Sequence, residues 1–160
     1  SRFDVELVDL AELALPLLDE PVHPSQKDYR HDHTKRWSAI VENADAMIFV
    51  TPEYDYFPPA SVINAIQYLL LEWAKKPIGI VSYGGVSGGL RSTQELRQLL
   101  GNVGAIPLSR TVPIPFVSQF IKDGVLQPNE LMVQGASAMI DELSDWVRTL
   151  RSSREEPAPA

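Results

Sequence analysis

The sequence contains no cysteine, which excludes disulfides, thiolate metal sites, iron–sulfur clusters and thiol nucleophiles. That absence fits a reducing compartment, and a cytoplasmic location is the expectation. Positive charge is scarce: 14 Lys and Arg stand against 21 Asp and Glu, for a net charge of -7. A nucleic-acid partner is therefore not expected, because neutralising phosphates over a wide surface requires a basic face. No apolar run is long enough for a bilayer span; the longest, Val62 to Trp73, is interrupted by Asn64, Gln67 and Glu72. No signal-peptide pattern opens the chain, and no membrane association is expected. Compositional bias is missing as well. With 160 residues, 44% of them hydrophobic and 22% charged, the chain has the make-up of one ordinary globular domain.

What is present is an alternation of strand and helix patterns. Phe3, Val5 and Leu7 fall on one face of a period-two segment, so a partly buried strand is predicted over Phe3 to Leu10. Pro16 to Arg36 lacks periodicity and reads as a long polar loop turning into a helix near Thr34. Two continuous apolar runs, Ala46 to Val50 and Ile78 to Tyr83, predict parallel strands buried on both faces. Between them Val62, Ile66, Leu69, Leu70 and Trp73 repeat at helical spacing over Ala60 to Trp73. A further stripe, Leu96, Leu99, Leu100 and Val103, stops at Gly104, and a short strand is expected around Ala105 to Leu108. A last helix is predicted from about Pro128, at its first position, to Leu150, with Met132, Met139, Leu143, Trp146, Val147 and Leu150 on one side. The domain is placed at residues 1–150, and 151–160 is expected to be a disordered tail.

Such alternation implies an open α/β sheet, whose ligands sit beyond the carboxyl ends of the strands. Two segments follow buried strands. Ser82 to Arg91 carries Gly84, Gly85, Gly88 and Gly89 between a strand and a helix; glycines there let the backbone approach a flat or anionic ligand. The spacing matches neither a dinucleotide fingerprint, since Val86 stands at the middle glycine, nor a P-loop, since Leu90 replaces the lysine. Gly85-Val86-Ser87-Gly88-Gly89 does satisfy G-x-S-x-G. All three histidines precede Ser87, however, the wrong order for an α/β-hydrolase. The other segment, Thr51-Pro52-Glu53-Tyr54-Asp55-Tyr56-Phe57-Pro58-Pro59-Ala60, combines rigidifying prolines with aromatic faces suited to a planar ring.

Together with Asn64-Ala65-Ile66, these segments resemble the NADPH-dependent FMN reductase family of flavodoxin-like proteins, which includes quinone, azo and chromate reductases. The resemblance covers most of the chain. It implies an α/β, flavodoxin-like three-layer sandwich with a parallel sheet. It further implies FMN and NADPH as cofactors, a small-molecule electron acceptor (quinone, azo compound, metal oxyanion or flavin) and a homodimer or homotetramer. Carried over position by position, it implicates Pro52, Glu53, Tyr54, Asp55, Tyr56, Tyr83, Gly84, Gly85 and Gly88 in cofactor contact; no catalytic side chain and no metal ligand are assigned. The chain departs from the family in having Asp55 for an asparagine, Pro58-Pro59-Ala60 before the helix, and Ile63 for a lysine. It also lacks the family's first strand, phosphate-binding loop and first helix, a βα unit of roughly thirty residues. The sequence therefore reads as a fragment or as a chain with an unusual start. Two other readings stay open: a cofactor-free flavodoxin-like binding module, and a serine hydrolase using Ser87.

Other residues have plainer explanations. His31-Asp32-His33 with His23 has the composition of a metal site, but its charged surroundings favour a solvated loop. Trp37 is expected to anchor its helix. Arg91 could meet a phosphate of NADPH or be an ordinary surface arginine. Glu53 could relay a proton or hydrogen-bond its own loop.

Overall fold

The structure, a computed structural model, describes residues 3–155. Three parallel strands, β1 (Met47–Pro52), β2 (Pro77–Tyr83) and β3 (Ile106–Ile114), form the central sheet in the order β1-β2-β3. Met47 to Pro52 align with Ile78 to Tyr83. Pro77 aligns with Ile106 and Tyr83 with Ile114, with a register shift between Ile78 and Ile80. Helices α1 (Leu10–Leu13), α2 (Asp32–Asn43), α3 (Ala60–Gln67) and α4 (Leu90–Asn102) contribute to a core on one face. There Trp37, Val41, Ile66, Trp73, Leu96 and Leu100 surround Ile78 and Ile80 of β2. Helix α5 (Glu130–Glu155) covers the other face, where Met139 and Leu143 meet Leu108 and Val112 of β3. Gly79 permits this closeness: a Cβ there would lie 3.0 Å from Met139 Sδ. The result is the three-layer flavodoxin-like α/β sandwich.

The elements depart from the sequence reading where a partner decides the outcome. Phe3 to Asp9 belongs to no strand, and α1 begins at Leu10. Val5 and Leu7 are 83% and 92% exposed. A period-two pattern sets side-chain faces, but a strand also needs a neighbour for its backbone groups. Strand β1 lies at the sheet edge and is not buried on both faces, since Ile48 and Val50 are 43% and 67% exposed. The physical reason is coverage: α5 packs on β3 and β2.

The third strand runs on to Ile114 despite Pro107 and Pro113, which an edge strand tolerates. The helix expected over Ala60 to Trp73 closes at Gln67, and a 3-10 turn over Leu71–Trp73 follows. Gly104 is left-handed at φ +81, the expected stop after α4. At α5 the side chain of Asn129 accepts from Met132 N at 2.9 Å, so Asn129 caps the helix and Pro128 precedes the cap. Trp146 is 36% exposed and lies outside the expected buried stripe. Helix α5 continues past Leu150 to Glu155, and the rest of the 151–160 segment lies outside the described residues. A short hairpin, β4 (Ile121–Lys122) and β5 (Val125–Leu126), turns at Asp123 and Gly124, both at positive φ. No helix among the described residues is long and apolar enough to cross a membrane.

Candidate functional site

The sheet ends β1 and β2 side by side, with Pro52 opposite Tyr83, so the two singled-out segments leave the sheet at adjacent points. Glu53 N extends the ladder by one bond, donating to Tyr83 O at 3.1 Å. The chain then folds into a two-residue hairpin: Tyr54 N donates to Phe57 O and Phe57 N to Tyr54 O, both at 2.9 Å. Asp55 and Tyr56 occupy its tip at φ 50 and 75, the pair of positive angles of a type I′ turn. Asn and Asp tolerate that geometry best after glycine. Asp55 therefore has a backbone reason for its place, independent of any ligand. Tyr54, Tyr56 and Phe57 are 64%, 59% and 54% exposed and form an aromatic rim.

The second segment is a compact turn stitched to β3. Gly84 N donates to Ile114 O at 3.3 Å, Gly88 N to Gly85 O at 3.1 Å, and Phe116 N to Gly85 O at 2.9 Å. Its glycines divide by role. Gly88 and Gly89 are left-handed, and a Cβ on either would lie within 3 Å of backbone: 2.8 Å from Pro115 N for Gly88, 2.9 Å from Tyr83 N for Gly89. They serve the turn itself. A Cβ on Gly85 would meet nothing within 4 Å; that backbone is an open floor.

Glu53 ties the two segments together. Its carboxylate accepts from Ser87 Oγ at 2.9 Å and Arg91 Nη1 at 3.1 Å, and from the backbone N–H groups of Arg91 at 3.0 Å and Ser92 at 3.3 Å. The side chain is 8% exposed. Burial pushes its pKa up, but the bonds from Ser87, Ser92 and Arg91 outweigh it and hold the carboxyl below its ordinary value. The Arg91 guanidinium in turn lies 4.1 Å from the centroid of the Tyr56 ring, a cation–π contact that reaches back to the hairpin tip.

The sequence reading placed Pro52, Glu53, Tyr54, Asp55 and Tyr56 on one side and Tyr83, Gly84, Gly85 and Gly88 on the other, and the fold brings both sets to one end of the sheet. Glu53 turns its carboxylate onto α4. Arg91, read as a phosphate contact or a plain surface residue, is instead paired with Glu53 and Tyr56. The sequence reading missed the segment after β3: Phe116, at φ 49 and 47% exposed, bonds to Gly85. Its signal was Pro113-Ile114-Pro115-Phe116, an end-of-strand pattern like that after β1. Asn64 has a supporting part: its Oδ1 accepts from Leu18 N at 3.0 Å and its Nδ2 donates to Pro16 O at 2.7 Å. The histidines are engaged elsewhere. His31 and His33 stack at 5.1 Å beside Asp19, whose carboxylate lies 3.0 Å from His33 Nε2 and accepts from Tyr68 Oη at 3.0 Å. His23 Nδ1 lies 2.9 Å from Ser25 Oγ. Ser87 thus has a carboxylate with a lowered pKa as its partner, a poor general base, and the described histidines bond to Asp19 and Ser25 and not to Ser87.

Two loops at the carboxyl ends of adjacent parallel strands, with an open glycine floor and an aromatic rim, define an open-sheet α/β protein, the class in which ligands sit beyond the strand ends. The sequence profile of the NADPH-dependent FMN reductase family matches residues 1–119, and the chain belongs to that family. It is 38% identical over 132 residues to the NAD(P)H-dependent FMN reductase ntnL of Nectria sp, covering 76% of this chain and 65% of that protein. It is 37% identical over 130 residues to the NAD(P)H-dependent FMN reductase LOT6 of Saccharomyces cerevisiae, covering 72% and 67%. The chain thus spans about two thirds of the length of these relatives. Among solved structures, the flavoenzyme NAD(P)H:(acceptor) oxidoreductase FerB of Paracoccus denitrificans superposes with a TM-score of 0.74 over 92% of this chain and 82% of its own. At 22% identity that likeness concerns the fold.

Proposed function

We propose that this chain forms the ring-binding side of an FMN-dependent NAD(P)H oxidoreductase acting on a small-molecule acceptor: a quinone, an azo compound, a metal oxyanion or free flavin. The observation that carries the reading is the open backbone floor at Gly85 at the same end of the sheet as the exposed rim of Tyr54, Tyr56 and Phe57, in a chain of this family. An isoalloxazine fits that surface, because a flat ring needs close backbone approach on one side and aromatic cover on another. Pro52, Glu53, Tyr54, Asp55 and Tyr56 would border the ring from the hairpin, and Tyr83, Gly84, Gly85 and Gly88 from the turn.

When bound, FMN supplies the acceptance of hydride from NAD(P)H and the onward transfer of electrons. The chain's own residues position and shield. The hairpin is stiffened by its paired Tyr54 and Phe57 bonds, and the aromatic rim excludes water from the ring's edge. Asp55 brings a carboxylate beside an electron-rich ligand, so ring electronics differ from those of a site with asparagine there. We include in the proposal a homodimer or homotetramer, supported by the apolar rim, since large exposed aromatics gain from cover by a second copy. The test is a visible absorption spectrum of the protein after FMN addition and gel filtration, followed by NADPH oxidation with a quinone acceptor. Retained flavin bands and acceptor-dependent oxidation are expected. A colourless protein without turnover would overturn the reading and favour the cofactor-free binding module.

A further inference from the structure

The segments that leave the carboxyl ends of the three parallel strands, 51–60, 82–91 and 113–120, carry three charged side chains: Glu53, Asp55 and Arg91. Glu53 and Arg91 lie 3.1 Å apart, and their charges offset each other. Asp55 stands exposed at the tip of the hairpin, and its carboxylate has no hydrogen-bond or ion-pair partner among the described residues. The left-handed backbone at φ 50 explains a short amide or acid there, but asparagine meets that conformation as well as aspartate. The turn therefore accounts for the residue's shape and leaves its charge unexplained. Around that charge the exposed surface is apolar. Val86 and Leu90 in the glycine turn are 72% and 44% exposed, and Phe116, bonded to Gly85, is 47% exposed. An uncharged flat molecule gains by covering these side chains, whereas an anion meets an uncompensated carboxylate on a chain of net charge -7.

We propose that Asp55 selects electron acceptors by charge: this end of the sheet takes uncharged planar acceptors, quinones and unsulfonated azo compounds, and disfavours metal oxyanions and sulfonated dyes. The inference rests on the preceding reading of the strand ends as the ring and acceptor site, and it narrows the acceptors named there. A single negative charge brought to about 8–10 Å from a carboxylate in water is disfavoured roughly twofold at low ionic strength, and a double charge roughly fourfold. Salt removes the effect, because it acts through solvent. An influence of Asp55 on the flavin's own electronics would alter every acceptor alike, so the ratio between a charged and an uncharged acceptor isolates the selection.

The probes are naphthoquinone and naphthoquinone sulfonate, one ring system with and without a negative charge. Wild type, Asp55→Asn and Asp55→Lys are compared; lysine is tolerated at such an angle, as Lys27 and Lys75 at φ 51 and 57 show. Two ratios, sulfonate over uncharged quinone, are measured: kcat/KM with FMN and NADPH, and the association constant to the chain without flavin, from the amide shifts of Tyr56 and Gly85. At an ionic strength of about 0.01 M both ratios should rise roughly twofold in the asparagine variant and roughly fourfold in the lysine variant, and at about 1 M the differences should vanish. Ratios equal to wild type at low salt would overturn the proposal. So would a rise that persists undiminished at high salt, or amides that do not shift with the uncharged quinone. Retention of FMN is read from colour alone: a chain that stays colourless overturns the reductase reading, while the binding ratios still decide the selection by charge.

Discussion

Gly89 and Gly85 lie in one turn, yet the structure assigns them opposite responses to a single methyl group. At Gly89 the backbone is left-handed, φ +83, and an added Cβ would lie 2.6 Å from Ser82 Cβ, 2.9 Å from Tyr83 N and 3.0 Å from Ser82 Oγ. The left-handed conformation alone costs an alanine about 1–2 kcal/mol. The overlap is with the end of β2, which cannot move without its ladder, so the turn must lift. Lifting it endangers the bonds from Ser82 Oγ to Gly88 O at 2.9 Å and from Thr93 Oγ1 to Gly89 O at 3.0 Å, each worth about 1 kcal/mol. Gly89→Ala should therefore lose about 3–4 kcal/mol, a fall in thermal midpoint of about 10 °C for a chain of this length. At Gly85 the φ is ordinary and nothing lies within 4 Å, so Gly85→Ala should stay within about 0.5 kcal/mol of wild type. It should nonetheless weaken FMN retention, because the methyl rises from the floor where the ring is proposed to lie. The assay is urea denaturation followed by circular dichroism, with FMN titration of the folded variants. A loss below about 1 kcal/mol for Gly89→Ala, or a Gly85→Ala variant as unstable as Gly89→Ala, would refute this division of the glycines.

Tyr56, at φ 75, should show the same conformational cost directly: Tyr56→Gly is expected to be about 1 kcal/mol more stable than Tyr56→Ala in chemical denaturation, and equal stabilities would contradict the left-handed assignment. Glu72, with a fully buried carboxylate, accepts from Ser38 Oγ at 2.6 Å and from Tyr29 Oη at 2.9 and 3.0 Å, with Lys27 Nζ at 3.9 Å. Glu72→Gln should cost about 2 kcal/mol, since bonds to a charged group are worth more than neutral ones; a neutral result by thermal melting would show that the ion is not needed there. Glu142 fastens α5 to β3 by accepting from Ser109 N at 3.0 Å, Ser109 Oγ at 2.9 Å and Arg110 N at 3.0 Å. Burial raises its pKa, but these bonds outweigh burial and hold the carboxyl below its ordinary 4.5. A depressed folded pKa means that the stabilisation is full above the unfolded value and is lost as the pH falls through the folded one. Glu142→Gln should accordingly be less stable at neutral pH, with a shallower loss on acidification below about pH 5; an unchanged slope of stability against pH would remove Glu142 from this role.

The parts of the molecule legible in the sequence are those encoded by near neighbours. Hydrophobic period located β1, β2, α3, α4 and α5, because three apolar residues in succession or a 3.6-residue stripe leave little freedom over which face is buried. Gly104 announced the end of α4 for the same local reason. The two site segments were visible because glycine and proline clusters directly after a buried strand belong at the ligand end of a parallel sheet. Tertiary structure decided what depends on partners far along the chain. Phe3 to Asp9 has a strand's alternation but belongs to no strand, and β1 has a buried strand's composition but lies at an edge where α5 does not reach. No local pattern could show that Glu53 would leave its own loop to cap a helix through Arg91 and Ser92. Nor could one show that His31 and His33 would gather at Asp19 beside Tyr68. The division has one cause: period and turn chemistry act over a few residues, whereas burial, capping at a distance and the charge of a site are set by elements that only the folded chain brings together.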